Sequence, residues 1–242
     1  MPSLKNQIAV ITGATGGIGG AIAAALSQQE ATLCLLGRDR AKLDAALARW
    51  QTASRQPEKY LCDLATESDI IRACEQLESA HDRIDILVHC AGAIAHGKLS
   101  DAPLASLDQQ YRANVRGPLL LTQQLLPLLM KPRGQIVFIN SSAGLNARAN
   151  RGHFSATQHA FKALADSLRD EVNSDEIRVL SVFPGRTATP RIEAVHNKEG
   201  RPYRPQLLLQ SDDVASVVLN ALTLPWTAEV TNISIRPMQK SY

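Results

Sequence analysis

The chain has 242 residues, 45% apolar and 20% charged, an ordinary balance for a globular protein with a sizeable core. A formal net charge of +3 is too small to imply nucleic acid without a clustered patch, and no aromatic-interleaved basic stripe is present. No uncharged apolar run reaches about 18 residues, so no membrane span is expected, and the start MPSLKNQIAVITGATGG lacks the pattern of a secretion signal.

Short apolar runs alternate with helical periodicity along the chain. QIAVIT (7–12) predicts a strand and 17–29 a helix. ATLCLLG (31–37) predicts a strand, and DRAKLDAALARW (39–50) a helix. KYLCD (59–63) is a third strand. TESDIIRACEQLES (66–79) predicts a helix with Thr66 as N-cap and Asp69 three residues on. IDILVHCAG (84–92) is strand and turn. Residues 103–130 are mostly helical, with Pro118 and Pro127 placed to bend or interrupt them. GQIVFINSS (134–142) is strand, 153–172 helix, and IRVLSVF (177–183) strand. Residues 186–210, rich in Pro and Arg, are expected to be irregular. SDDVASVVLNAL (211–222) predicts a capped helix and AEVTNISI (228–235) a last strand. This alternation predicts an α/β fold, a parallel sheet with helices on both faces. No repeat, linker or low-complexity segment appears, so residues 1–242 are expected to form one domain.

The first strand runs into TGATGGIGG, with glycines at 13, 16, 17, 19 and 20, just before a small-residue helix. Such a loop lets the backbone approach a pyrophosphate, which the N-terminus of the next helix stabilises. After the second strand, Gly37 stands where an enzyme using NAD usually places a carboxylate. Arg38 follows and suits a 2′-phosphate, which favours NADP(H) over NAD. Asp39 is read as the N-cap of the next helix. Asp63, ending the third strand, is placed to meet an adenine amino group or to tie down the turn before Thr66. Cys34, Cys62, Cys74 and Cys90 form no CxxC pair, and the histidines lack a ligand spacing such as HExxH. Reduced core cysteines in a cytoplasmic protein are expected, and no metal site.

With TGATGGIG (12–19), CDL (62–64), AG (91–92), NVRGP (114–118), INSSAG (139–144) and PGRTATP (184–190) in this order, the whole chain resembles the short-chain dehydrogenase/reductase family. The resemblance implies a Rossmann-type doubly wound sheet of seven strands, ordered 3-2-1-4-5-6-7. It also implies a cofactor across the strands' C-terminal edge, a substrate lid over about 186–210, and a homodimer or homotetramer built through the 103–130 and 153–172 helices. Gly13, Gly17 and Gly19, with Thr15 and Ile18 of the same loop, would line the pyrophosphate. Asp63 and Leu64 would border adenine, and Ala91 and Gly92 the adenosine ribose. Pro184, Gly185 and Thr189 would hold the nicotinamide end. Asn114 matches the family's active-site asparagine, which kinks a helix and holds a water. Ser141, three residues before Gly144, matches the serine that polarises the substrate oxygen.

The departures fall on the chemistry. Thirteen residues after Ser141 the family has a tyrosine, and four later a lysine; here stand Phe154 and Gln158. Cys90 replaces an asparagine that braces the central strands. Carbonyl reduction needs a hydride on carbon, supplied by the cofactor, and a proton on oxygen, supplied by the tyrosine. Phenylalanine has no proton to give, and glutamine brings no charge to lower a phenol's pKa or grip the ribose. Losing positioned acid–base catalysis costs about 10²–10⁴-fold in rate. Tyr111, His153, His159, Lys162 and Tyr203 are the nearest stand-ins, each more ordinary as a surface or packing residue. In the lid, Arg186, Arg191, Lys198, Arg201 and Arg204 outnumber Glu193 and Glu199. That surplus suits an anionic ligand or cofactor phosphates, or simply a solvated loop. The expected function is therefore an NADP(H)-binding oxidoreductase acting on a small carbonyl or alcohol, with impaired or altered catalysis. The alternatives are a silent nucleotide sensor or partner subunit, and a reductase deliberately inactivated by Tyr→Phe and Lys→Gln changes.

Overall fold

The computed structural model describes residues 3–48 and 56–239. Its strands are β1 Ile8–Thr12, β2 Thr32–Gly37, β3 Glu58–Leu61, β4 Ile86–His89, β5 Gln135–Ile139, β6 Arg178–Pro184 and β7 Asn232–Ile235. Its α-helices are α1 Gly17–Gln28, α2 Arg40–Leu47, α3 Glu67–Ala80, α4 Leu104–Tyr111, α5 Gly117–Met130, α6 Gly152–Val172, α7 Pro190–Lys198 and α8 Ser211–Leu222. The strands form one parallel sheet in the order β3-β2-β1-β4-β5-β6-β7, the Rossmann-type order that the resemblance implied. Parallel neighbours need crossover connections, and the helices supply them.

Two apolar layers hold the sheet. One packs α3, α5 and α6 through Ile70, Leu77, Leu121, Leu125 and Phe161. The other packs α1, α2 and α8 through Ile22, Leu26, Leu43, Val214 and Val218. Each fully buried side chain of this size contributes about 1.5–3 kcal/mol. In β1, Val10 joins the first layer while Ala9 and Ile11 join the second. In β4, Leu87 joins the first while Ile86 and Val88 join the second. Both faces are dry, which is why these strands read as unbroken apolar runs. No helix among the described residues is long and apolar enough to cross a membrane.

Three expectations need correction. Residues 186–210 are not wholly irregular, because they contain α7. Thr189 caps it, its hydroxyl oxygen accepting from the Ile192 N–H at 3.3 Å, and Pro190 sits in the first turn, where its missing N–H costs nothing. The 103–130 helix breaks at Arg112–Arg116, a π-helical turn, and not at its prolines; Pro118 starts α5 and Pro127 lies inside it. Thr66 occupies the N-cap of α3 but its side chain makes no capping bond. Asp69 instead accepts from the Asp63 N–H at 3.2 Å and from Arg72 at 2.6 Å. Arg49 and Trp50, at the end of the predicted 39–50 helix, lie outside the described residues.

His89 ends β4 in the dry interior. The Thr122 hydroxyl donates to the Pro118 carbonyl at 2.8 Å, so it accepts from Nε2–H of His89, also at 2.8 Å. The ring lies 4.9 Å from Phe138, and Nδ1 is buried without a partner. Burial lowers the pKa of His89 from 6.5 to about 3. Between those values the unfolded chain carries the extra proton, so stability is full above the unfolded pKa and falls as pH drops towards the folded one. This residue alone contributes a slope of up to about 1.4 kcal/mol per pH unit. Urea midpoints measured from about pH 7.5 down to about pH 5 should fall, and a His89→Gln variant should show a shallower fall.

Candidate nucleotide and catalytic site

The strand order reverses between β1 and β4, since β2 flanks β1 on one side and β4 on the other. At the C-terminal edge of a parallel sheet, such a reversal opens the crevice where nucleotides bind. The glycine loop after β1 is folded tightly into it. Gly13 has φ +74°, which side chains rarely adopt, and a Cβ there would lie 2.8 Å from the Ala91 nitrogen. A Cβ on Gly19 would collide with the Gly13 carbonyl. α1 begins at Gly17, so the N–H groups of its first turn have no acceptor within the helix.

Thr12, missed in the sequence, fixes this approach. Its buried hydroxyl donates to the Val88 carbonyl at 3.3 Å and accepts from the N–H groups of Cys90 at 3.0 Å and Ala91 at 3.1 Å. The brace between the central strands therefore comes from β1, where Cys90 lacks the family's asparagine amide. Burial pushes the Cys90 thiol up to about 12.

The remaining nucleotide residues divide by what their side chains do. Thr15 and Ile18 are half-buried, and Ile18 packs against the α1 layer. A Cβ on Gly17 would lie 3.1 Å from the Thr189 methyl, so the loop borders the start of α7. Pro184 ends β6, and the Gly185 N–H donates to the Ile235 carbonyl at 2.8 Å. Arg38 is exposed and makes no ion pair among the described residues. Asp39 does cap α2, accepting from the Lys42 N–H at 3.1 Å. Asp63 ties its turn by accepting from the Ala65 N–H at 2.9 Å. The Leu64 side chain is buried in the first apolar layer, so only its backbone is free to border a ligand.

The positions that match the family's asparagine and serine lie on the same edge. Asn114 sits in the π-helical turn. Its Oδ1 accepts from the Ala93 N–H at 2.6 Å, and its Nδ2 donates to the Ala93 carbonyl at 2.9 Å and to Thr157 Oγ1 at 3.0 Å. Gly92 is packed so closely that its Cβ would lie 3.1 Å from Oδ1. Ser141 is half-buried after β5; its oxygen accepts from the Ala143 N–H at 3.1 Å, while its own proton remains available. Ser142 is exposed. Asn140 accepts from the Ser141 N–H at 2.7 Å and donates to the Gln158 carbonyl at 3.0 Å. The Gln158 residue is only 6% exposed. Asn140 and Thr157 were not singled out in the sequence, where nothing distinguishes them from other polar residues beside a motif.

Among the described residues none of the proposed stand-ins hydrogen-bonds Ser141. Lys162 pairs with Asp166 at 2.5 Å, and exposed His159 bonds the Ser155 carbonyl through Nδ1 at 2.8 Å. Tyr111 is exposed, and Tyr203 packs edge-on to His196 at 5.6 Å. His153 lines a cavity of about 240 Å³ with His96 and Ser106. The titratable ring against Phe154 is that of His96, 6.2 Å between centroids, with Nε2 buried and unpartnered. Burial, and then the Arg151 charge, lowers its pKa, which favours the neutral imidazole.

At the end of α7 several cationic side chains converge on one carboxylate. Glu199 meets Arg186 at 2.6 Å, Arg151 at 3.4 Å, His96 at 3.4 Å and Arg201 at 3.6 Å. Burial opposes its ionisation, but the Arg186 hydrogen bond and the surrounding charges outweigh it and hold the carboxyl below its usual range.

A family model described as short chain dehydrogenase matches residues 7–200. The chain belongs to the short-chain dehydrogenase/reductase family. An uncharacterized oxidoreductase of Staphylococcus epidermidis is 31% identical over 240 residues, covering 98% of this chain and all of the relative. An uncharacterized short-chain type dehydrogenase/reductase of Sinorhizobium fredii is 32% identical over 241 residues, covering 98% and 93%. A short-chain dehydrogenase from Shigella flexneri, solved with NADP, superposes with a TM-score of 0.89 at 28% identity, covering 97% of this chain and 99% of that one. The glycine loop, Ser141 and α6 all fall within the residues that the family model matches.

The Thr12 brace is open to test. Thr12→Val keeps the shape but orphans two N–H groups, those of Cys90 and Ala91. It should destabilise the protein by about 1–3 kcal/mol, read from the urea midpoint. An unchanged midpoint would remove Thr12 from this role.

Proposed function

We propose that this chain is an NADP(H)-binding member of the family whose carbonyl–alcohol hydride transfer is impaired. The observation that carries this is Phe154 and Gln158 standing on α6 where the family has its tyrosine and lysine, beside a Ser141 that keeps its hydroxyl. The fit of the cofactor rests on the tight fold of the loop: side chains at Gly13 or Gly19 would collide with backbone and push the loop out of the crevice. Gly13, Thr15, Gly17, Ile18 and Gly19 would hold the pyrophosphate, and Arg38 the 2′-phosphate. Asp63 and the Leu64 backbone would meet adenine, and Ala91 and Gly92 its ribose. Pro184, Gly185 and Thr189 would hold the nicotinamide end, which supplies the hydride when bound. With Asp39 spent on capping α2, Arg38 is the group left to choose between NADP and NAD. The NADP in the solved Shigella relative supports that choice.

In this site Ser141 donates a hydrogen bond to the substrate oxygen. No hydroxyl at 154 passes it a proton, and no ammonium at 158 lowers the pKa of a donor. Asn114 keeps the kink and joins it to α6. The substrate class that fits is a small carbonyl or alcohol bearing an anionic group, because three guanidiniums converge on the single Glu199 carboxylate. The same clamp on the lid supports the second reading, a silent nucleotide sensor or partner subunit. Exposed Leu104, Tyr111, Leu119 and Met130 suit a homodimer or homotetramer through α4 and α5. The free cysteines suit a cytoplasmic protein of one domain.

Titration by fluorescence should show NADPH binding more tightly than NADH, with Arg38→Ala erasing the difference. No binding of either cofactor would sink the assignment. The double change Phe154→Tyr with Gln158→Lys should raise kcat by about 10²–10⁴-fold on a panel of neutral and carboxylate-bearing carbonyls. Equal rates before and after would show that the proton comes from elsewhere.

A further inference from the structure

Three metal-binding side chains meet at the free edge of the sheet, at strand positions remote in sequence from the glycine loop and from α6. Cys34 of β2 and Glu58 of β3 are register partners, so their side chains leave the same face side by side. His81 is the residue that ends α3, and it reaches the same place. Its Nε2 lies 3.0 Å from Glu58 Oε2 and 3.4 Å from Cys34 Sγ, and that Sγ lies 4.0 Å from Glu58 Oε2.

These separations lie close to those of a tetrahedral coordination face, one edge shorter and one longer. A zinc ion with sulfur at about 2.3 Å and nitrogen or oxygen at about 2.0–2.1 Å sets its ligand atoms about 3.3–3.6 Å apart. The three measured edges straddle that range without any side chain having to change its place in the fold. The accessibility also suits an ion. Cys34 is fully buried, the His81 side chain is 10% exposed, and that of Glu58 is 40% exposed. Two ligands are thus fixed by packing, and the third opens the site to solvent, which leaves a fourth position for water. Tyr60, two residues after Glu58 and therefore on the same face, donates its hydroxyl to Glu58 Oε2 at 2.5 Å. Hydrogen bonds of this kind orient a coordinating carboxylate.

We infer that Cys34, Glu58 and His81 form a site for a divalent transition metal of the zinc class. One sulfur, one nitrogen and one oxygen ligand favour such an ion over magnesium or calcium, which take oxygen sets. The site joins the edge strand β3 to β2 and to the end of α3, so the ion acts as a clamp on the edge of the sheet. No sequence spacing announces it, because positions 34, 58 and 81 come together only when β3 pairs with β2.

Titrating the full chain with Zn(II) against a chromophoric chelator tests the site. The expected result is one tightly bound ion per chain, a higher melting temperature with zinc, and thiolate-to-metal charge-transfer absorption when Co(II) replaces it. Cys34→Ser and His81→Gln should each weaken zinc binding by at least the ~10–100-fold that losing a mere supporting hydrogen bond costs. Glu58→Gln, on the exposed side, serves as the variant least apt to disturb folding, and it should lower affinity in the same direction. Absence of a tight zinc ion would overturn the inference, as would one bound equally well by all three variants. The trio would then be a His81–Glu58 contact beside a buried thiol.

Discussion

The placement of α6 depends on two asparagine side chains, Asn114 and Asn140. One bonds the Thr157 hydroxyl and the other the Gln158 backbone carbonyl. Neither bond involves the side chain at 154 or 158. The helix that carries the family's chemistry is therefore held independently of that chemistry. Each buried bond adds about 0.5–1.5 kcal/mol net, and orphaning its donor costs about 1–3 kcal/mol, so the arrangement is firmly specified. Phenylalanine and glutamine at these positions need no repair elsewhere. An ammonium at the nearly enclosed position 158 would have to be desolvated, whereas a neutral amide carries a much smaller penalty. On the reading proposed above, replacing the family's lysine at 158 by glutamine removes a desolvation cost from the interior, an exchange of activity for stability.

What the sequence makes legible is what local patterning controls. The inner strands are largely apolar on both faces because both faces are covered, and that betrays a parallel sheet. The glycine loop is legible because Gly13 needs a positive φ and Gly19 needs an absent Cβ. The Asp39 cap is local too, closing on a backbone N–H three residues away. The features that escaped are long-range. The π-helical turn at Arg112–Arg116 goes with an Asn114 side chain bonded to Ala93, 21 residues earlier, and the nearby prolines drew attention to the wrong place. Thr12 looks like any strand residue until β4 brings the Cys90 and Ala91 amides to it. α7 has only nine residues, with Val195 and His196 buried, too little periodicity to stand out among arginines.

The lid shows why a charge count differs from a charge arrangement. Along the sequence its surplus is compatible with a solvated loop. Folded, Arg186 spends one nitrogen on Glu199 and another on His196 Nε2, at 2.6 Å each. His196 can accept there because its Nδ1–H donates to the Pro202 carbonyl at 3.0 Å, which fixes the neutral tautomer. Arg151, on the residue before α6, reaches the same carboxylate. The clamp therefore ties the lid to the first turn of the helix that bears Phe154. An anionic substrate of the kind proposed would exchange one carboxylate for another on guanidiniums that are already partly desolvated. That exchange costs less than stripping water from an isolated charge. On that reading anion binding and release of Glu199 would be a single event, so the clamp would select for charge before the shape of the cavity selects for anything else.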